Sequence, residues 1–128
     1  MVQRSWSQIA VPSSVPELRT AVCAFADDEG VLDPPLADIR LAVSEAITNA
    51  VIHGYRDDSG PGDVEVAATV WSDHVEVVVT DHGGGFAARA DSPGAGMGMI
   101  LIGAVTEHLA ILDARPRGTE IKMRFRRS

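Results

Sequence analysis

The sequence is poor in several features whose absence excludes whole classes of protein. It contains one cysteine, Cys23, so no intrachain disulfide can form and nothing in the chain requires an oxidising compartment. The longest apolar stretch, at about residues 97–105, is interrupted by glycines and has about half the length needed to span a bilayer. The N-terminal residues 1–7 are polar and lack the apolar segment of a signal peptide. These absences predict a soluble, cytoplasmic protein.

Basic residues are also scarce. Eleven Lys and Arg side chains stand against eighteen Asp and Glu, and the net charge of −7 is a poor match to the polyanionic surface of a nucleic acid. One local basic cluster lies beside the C-terminus, at Lys122, Arg124, Arg126 and Arg127. We interpret this cluster as a solvated strand edge. We therefore expect neither nucleic acid nor a membrane among the partners.

The sequence does contain enough apolar material for a core of its own. Its 128 residues suit one domain, and 45% of them are hydrophobic, as in ordinary globular proteins. Hydrophobic periodicity predicts the element order β-α-α-β-β-α-β-β, with a long second helix from Asp33 to Gly54. The first helix is predicted to begin with a capping box, Ser14 being the N-cap and Glu17 reaching back. This order predicts an α+β fold, a two-layer α/β sandwich with helices on one face of a mixed, mostly antiparallel sheet, and residues 1–128 as a single domain.

Half of the glycines are concentrated in one short segment. Six of twelve fall within the sixteen residues from Gly83 to Gly98, which indicates either close approach of a ligand or a flexible surface loop. A P-loop is excluded because the only lysine, Lys122, falls in a predicted strand. The dinucleotide-binding fingerprint is excluded by the spacing of the glycines between positions 94 and 98. What remains is the segment Gly96-Met97-Gly98 opening onto a helix, where exposed amides and the helix dipole favour a phosphate.

The second helix carries a polar stripe. Glu45, Asn49 and His53 are spaced by four residues and so lie along one line of the helix. Leu41 and Ile52 flank Glu45 on the side opposite the core, which makes the helix apolar on both sides. A solvated polar face is the ordinary interpretation, but we favour a second face covered by a lid, a ligand or a partner. A carboxylate and an amide one turn apart could then serve as a general base and a metal ligand.

Asp81 is the last candidate that stands out on its own. It ends the predicted strand 75–80 and is followed by Gly83-Gly84-Gly85-Phe86. An acidic residue at such a position is often a turn-former. It could equally accept a hydrogen bond from an exocyclic amine, while the glycines allow a flat ring to approach. The residues alone leave both interpretations open.

Four of these segments, in this order, resemble motifs of the GHKL ATPases, the group that contains gyrase, MutL, histidine kinases and a heat-shock chaperone. Glu45-Ala-Ile-Thr-Asn-Ala-Val-Ile-His-Gly-Tyr55 is similar to the N-box, and Asp81-His-Gly-Gly-Gly-Phe86 to the Asp-x-Gly-x-Gly box. Gly96-Met-Gly98 resembles the next glycine box and Gly118-Thr119 the last motif. Within this group the chain most resembles the small bacterial anti-sigma factors that are also serine protein kinases. The likeness covers about residues 45–119.

The resemblance implies the ATP-binding fold of that group, with ATP and Mg²⁺ as cofactors. It also implies a homodimer, a bound sigma factor, and phosphorylation of a serine on an anti-anti-sigma protein. Carried over residue by residue, Glu45 is the catalytic residue that activates the attacking hydroxyl, and Asn49 holds the Mg²⁺ ion. Arg19, on the first helix, aligns with a partner-contacting arginine.

The resemblance further implies a set of nucleotide-binding residues. Asp81 binds the adenine amine, Gly85 and Thr119 line the base, and the two glycines of the Gly-x-Gly step approach the phosphates. Together with the metal ligand, the residues implied to bind the cofactor are Asn49, Asp81, Gly83, Gly85, Gly96, Gly98 and Thr119.

One departure from the family pattern keeps two functions open. The segment between Phe86 and Gly96, which corresponds to the ATP lid, is short and contains one basic residue, Arg89. Gly94 stands where family members often carry an arginine, and cations normally stabilise the charge that develops in phosphoryl transfer. The first function is an ATP-dependent anti-sigma factor that phosphorylates its antagonist. The alternative is an ATP-binding partner-switch module with little or no kinase activity.

Overall fold

The computed structural model describes residues 1–54, 62–83, 95–114 and 117–128. The elements follow one another as β1 (Val2–Ile9), α1 (Ser14–Asp28), α2 (Pro35–Asn49), a π-helical turn (Ala50–Gly54), β2 (Asp63–Val70), β3 (His74–Asp81), α3 (Ala95–Val105), β4 (His108–Asp113) and β5 (Thr119–Arg126). Apart from the π-helical turn, the described elements occur in the predicted order β-α-α-β-β-α-β-β.

The described strands form one sheet in the order β1-β2-β3-β5-β4. Every pairing within it is antiparallel, which confirms the predicted fold class. Alternate residues of β2, β3 and β5 are buried, as the period of two requires when one face carries the helices. The central strand β3 ends at Asp81, which is paired in register with Val64 of β2 and Thr119 of β5. Asp81 therefore lies at the end of the central strand, at the edge of the core.

The helices bury their apolar stripes against the sheet. Ile39, Val43 and Ile47 of α2 have no exposed surface and form the core stripe of this helix, as their spacing of four residues along one face requires. The β5 side chains Ile121, Met123 and Phe125 meet them from the sheet and are equally buried. Burial of each such side chain contributes roughly 1.5–3 kcal/mol, so this contact largely fixes α2 on the sheet. Within the described residues, no helix is long and apolar enough to cross a membrane.

The predicted capping box at the start of α1 is wrong. The helix begins at Ser14, but the buried Ser14 hydroxyl donates to the Ile9 carbonyl oxygen and accepts a hydrogen bond from the Val11 amide at 3.3 Å. A hydroxyl engaged with the preceding turn is not available to cap the helix. Ser14 therefore ties the end of β1 to α1.

The C-terminal arginine differs from the solvated edge predicted for the basic cluster. Arg127 Nη1 donates to the Trp71 carbonyl at 2.8 Å and Nη2 to the Glu29 carbonyl at 2.5 Å. Its own carbonyl accepts a hydrogen bond from the Leu32 amide at 3.1 Å. Arg127 thus joins the end of α1 to the β2–β3 turn, a structural role that its position in a basic run did not reveal.

Candidate active site

Glu45 and Asn49 lie one turn apart on α2 and face Gly98 of α3. A Cβ atom added to Gly98 would lie 3.2 Å from Glu45 Oε2 and 3.3 Å from both terminal atoms of the Asn49 amide. The missing side chain at Gly98 therefore lets α3 approach α2 at both polar groups. The structure brings together these three residues, which sequence analysis had assigned to two separate motifs.

Among the candidate residues, Asn49 gives the clearest indication that a ligand binds here. Its side chain is 3% exposed, and its Nδ2 atom has no hydrogen-bond partner within the described part of the chain. A buried amide left unpaired costs about 1–3 kcal/mol, so such a group is normally satisfied by something. A carboxamide can offer an oxygen ligand to Mg²⁺ or an N–H donor to a phosphate. Asn49, the residue expected to hold the metal, is thus buried and has a polar group available to a ligand.

Glu45 is partly buried. Helix α3 packs against α2 and covers it on the Gly98 side. Leu41 and Ile52 remain 38% and 56% exposed, so the second face of the helix is only partly covered by the described residues. Asn49 is the last α-helical residue before the π-helical turn, a feature often found at functional sites. The side chain of His53, the third residue of the predicted stripe, lies outside the described residues.

Asp81 occupies the other part of the site, at the end of β3. It is 2% exposed, and its Oδ1 accepts a hydrogen bond from the Gly83 amide at 3.0 Å. The turn-forming interpretation is therefore correct for this oxygen. Thr119, its register partner on β5, is fully buried, and Thr119 Oγ1 has no hydrogen-bond partner in the described part of the chain. A ligand with hydrogen-bonding groups would fit a site lined by these two side chains.

The turn before β5 lies directly against the end of β3. Gly118 has φ +120°, and a Cβ atom there would be 2.0 Å from the Asp81 carbonyl oxygen and 2.6 Å from His82 Cα. No residue with a side chain fits this position without displacing the backbone. The resemblance places Gly118 in the last motif, and this close approach is the physical reason why a glycine is needed there.

Three residues around Asp81 were missed by sequence analysis. Arg117 Nε donates to the Gly83 carbonyl at 2.7 Å, and His82 Nε2 lies 2.8 Å from Glu65 Oε2. The hydrogen bond with Glu65 is the main reason why the pKa of His82 is raised above its ordinary value. These pairs are 34 and 17 residues apart in the chain, so no local pattern could have indicated them.

The candidate residues described above form two clusters, a helical cluster of Glu45, Asn49 and Gly98 and a sheet cluster of Asp81 and Thr119. The other candidates are Gly96, Arg19 and Gly85. Gly96, in the first turn of α3, is exposed, and no described atom lies within 4 Å of a Cβ added to it, as a phosphate-approaching glycine requires. Arg19 of α1 donates from Nη1 to Ser44 Oγ at 3.5 Å, beside Glu45 on α2. Gly85 and the rest of segment 84–94 lie outside the described residues.

The two clusters lie on the same side of the sheet. Asp81 belongs to the buried face of β3, and the π-helical turn that follows Asn49 contacts this strand. A depression of about 500 Å³ on the opposite, open face is lined by Glu65, Glu76, Glu120 and Lys122 among others. Three carboxylates against one ammonium group would repel a phosphate, and the depression contains none of the candidate residues. The candidate site is therefore on the helical side.

The fold agrees with the α+β sandwich that the resemblance to the GHKL ATPases implies. The chain belongs to the histidine kinase-like ATPase domain family, whose model matches residues 9–125.

The chain is similar to several named proteins within this class. Over 120 residues it is 31% identical to an anti-sigma F factor from Clostridium acetobutylicum, a match covering 83% of this chain and 80% of that protein. Over 77 residues it is 39% identical to the serine-protein kinase RsbW from Bacillus licheniformis, covering 60% of this chain and 48% of that protein.

A solved structure has a similar fold. The crystal structure of the RsbU and RsbW domains of Rv1364c from Mycobacterium tuberculosis matches with a TM-score of 0.76 at 23% identity. The match covers 98% of this chain and 32% of the solved chain, so the chain spans about a third of that structure. At this identity the likeness establishes the fold alone.

Proposed function

We propose that the chain is an ATP-dependent anti-sigma factor that binds an alternative sigma factor and phosphorylates a serine on an anti-anti-sigma antagonist. The relatives named anti-sigma F factor and serine-protein kinase support this assignment. The observation that carries it is the placement of Glu45 beside the buried Asn49, whose Nδ2 has no partner among the described residues, opposite Gly98 of α3. In an ATPase domain, this pair suits a general base next to a metal ligand.

The described residues fit ATP and Mg²⁺. Within the described residues, Asn49 Nδ2 and Thr119 Oγ1 are buried polar atoms without a hydrogen-bond partner. A phosphate oxygen would satisfy the Nδ2 donor and leave Asn49 Oδ1 to bind Mg²⁺, which takes oxygen ligands. We assign Asn49 to Mg²⁺ and Asp81 to the exocyclic amine of adenine, with Gly83, Gly85 and Thr119 beside the base. ATP supplies the phosphoryl group for transfer. The amides at the start of α3, from Gly96 onward, are assigned to the phosphates.

Glu45 is the residue we assign as the general base for the substrate serine. A serine hydroxyl is too weak an acid to attack unaided, so Glu45 accepts its proton during the transfer. Helix α3 limits the access of water to Glu45 on the Gly98 side. Gly98 belongs to this part of the site because its missing side chain lets the two helices meet there.

The same proposal includes the partners. Arg19 is the residue we assign to partner contact, and its hydrogen bond to Ser44 connects that surface to the residue preceding Glu45. We further propose a homodimer, a single domain over residues 1–128, no direct contact with nucleic acid or a membrane, and action in the cytoplasm where sigma factors work.

A second candidate function is an ATP-binding partner-switch module with little or no kinase activity. It is favoured by the position of the only lysine, because Lys122 lines the open face of the sheet, away from Glu45. A kinase normally brings a cation to the transferred phosphoryl group.

One experiment separates the two candidates. The protein is incubated with ATP labelled in its γ-phosphate and with a purified anti-anti-sigma protein, while ATP binding is measured by calorimetry. Labelled phosphoserine on the antagonist supports the kinase. Bound ATP without phosphoserine supports the second candidate, and the absence of ATP binding contradicts both.

A further inference from the structure

Three successive residues at the end of β3 are contacted by two other parts of the chain, the strand β2 and the β4–β5 turn. Gly118 packs against the carbonyl of Asp81, and Glu65 of β2 pairs with His82 at 2.8 Å. Arg117 donates to the carbonyl of Gly83 at 2.7 Å. The end of the strand is thus held from the β2 side and from the β4–β5 turn.

These contacts bear directly on the orientation of the Asp81 carboxylate. Its Oδ1 accepts a hydrogen bond from the Gly83 amide at 3.0 Å, so any shift of Gly83 changes the direction in which the carboxylate points. Gly83 has no side chain with which to anchor itself, and the sequence continues with two more glycines. The position of Gly83 must therefore be held by neighbouring elements.

We propose that Arg117 and the His82–Glu65 pair are positioning residues for the nucleotide base, and that the His82–Glu65 contact makes nucleotide affinity depend on pH. Arg117 holds Gly83 through its carbonyl, and Glu65 holds His82 from β2. The proposal rests on the proposed binding of adenine at Asp81.

The direction of the pH effect follows from the groups around His82. The carboxylates of Glu65 on β2 and Asp81 on β3 act on it electrostatically, and the backbone of Arg117 in the turn forms a hydrogen bond with it. Asp63 of β2 adjoins Val64, the register partner of Asp81. The hydrogen bond to Glu65 dominates and raises the pKa of His82, while partial burial opposes it. The charged pair is therefore complete at low pH and loses its positive member as the pH rises through this raised pKa. Because the two side chains are 39% and 53% exposed, the effect is modest.

The same strand provides a matched control. His74 Nδ1 pairs with Asp73 Oδ1 at 2.7 Å, at the opposite end of β3. The pair has the same chemistry as His82–Glu65 but lies away from Asp81. A change at His74 therefore reports any general effect of losing a histidine–carboxylate pair on this strand.

The test is a calorimetric titration of ADP at several pH values between about pH 6 and pH 9. The affinity of the wild type is expected to fall about 2- to 5-fold over this range, beyond the change caused by the phosphates of ADP itself. His82→Gln and Glu65→Gln should show the lower affinity at every pH, whereas His74→Gln should keep the wild-type profile. The ionisation of ADP is the same in every assay, so differences between variants report on the protein.

Arg117 is tested by a second pair of variants. Arg117→Ala is expected to weaken ADP binding about 5-fold at every pH, and Arg117→Lys, which keeps an N–H donor, should recover most of the loss. If the wild type binds ADP and all variants match it in affinity and pH profile, the positioning roles are refuted while the proposed function stands. If the wild type binds neither ADP nor ATP, the proposed function fails and this inference fails with it.

Discussion

The helical part of the candidate site (Glu45, Asn49 and Gly98) and the sheet part (Asp81, Gly83 and Gly118) hold their functional side chains in different ways. On α2, Asn49 is buried and its Nδ2 has no hydrogen-bond partner among the described residues, and α3 approaches Glu45 closely at Gly98. At the end of β3, Asp81 is buried in a turn, with the backbone of Gly118 packed against it and the Gly83 amide bound to it. The helical part presents an acid–amide pair for chemistry, whereas the sheet part holds one carboxylate in a set direction beside the hydroxyl of Thr119. We infer that the first part serves the reaction and the second recognises the base.

The strongest test of this division is Glu45→Gln. The substitution keeps the shape and polarity of the side chain but removes the base, so phosphorylation of the antagonist should fall about 10²- to 10⁴-fold. Nucleotide affinity should be nearly unchanged, because Asp81 and Asn49 are intact. The measurement combines labelled phosphate transfer with calorimetric ATP binding.

Asp38→Asn is the matched control for Glu45→Gln, since Asp38 lies about two turns earlier on the same helix. It should leave the transfer rate unchanged. Transfer by Glu45→Gln at the wild-type rate would remove Glu45 from the mechanism.

Gly118→Ala should affect the sheet part through folding. The added Cβ would lie 2.0 Å from the Asp81 carbonyl oxygen in a backbone with φ +120°, so the strand end must move. We expect the free energy of unfolding in urea to fall by about 2–4 kcal/mol.

Gly103→Ala on α3 provides the comparison, because its added Cβ would make only an ordinary 3.9 Å contact with Leu109 of β4. It should raise the unfolding free energy by about 0.5–1 kcal/mol through helix propensity. Equal stability of the two variants would mean that the turn does not hold Asp81 as described.

Asp81→Asn addresses recognition directly. The amide keeps the size of the side chain but replaces one acceptor oxygen with a donor, which is mismatched to an exocyclic amine. ATP affinity should fall about 10- to 100-fold, as expected for losing a hydrogen bond to a charged group. Calorimetry with ATP and with GTP makes the measurement, and unchanged ATP affinity would show that the adenine assignment is wrong.

The difference between the helical part and the sheet part also explains which features could be predicted from the sequence. The element order and the core stripe of α2 follow from periodicity, and Glu45 and Asn49 follow from a spacing of four along one helix. The contacts of Arg117 with Gly83 and of His82 with Glu65 depend on the register of β2, β3 and β5, which a local pattern does not specify. The capping box failed for a similar reason, because the hydroxyl of Ser14 is used by Ile9 of the preceding strand.

Gly98→Ala is the smallest expected effect and the closest test of the helical part. Its added Cβ would lie 3.2–3.3 Å from Glu45 and Asn49, and these contacts are to side chains that can shift by a few tenths of an ångström. The protein should therefore fold with about wild-type stability, because alanine favours the helix by roughly the amount that the crowding costs. Displacement of the base and the metal ligand should still lower phosphate transfer by about 10-fold or less. Gly96→Ala is the control for stability alone, since no described atom lies within 4 Å of its added Cβ. If Gly98→Ala unfolds early while Gly96→Ala does not, Gly98 serves helix packing as a whole. If Gly98→Ala is stable and transfers phosphate more slowly, its missing side chain serves the placement of Glu45 and Asn49.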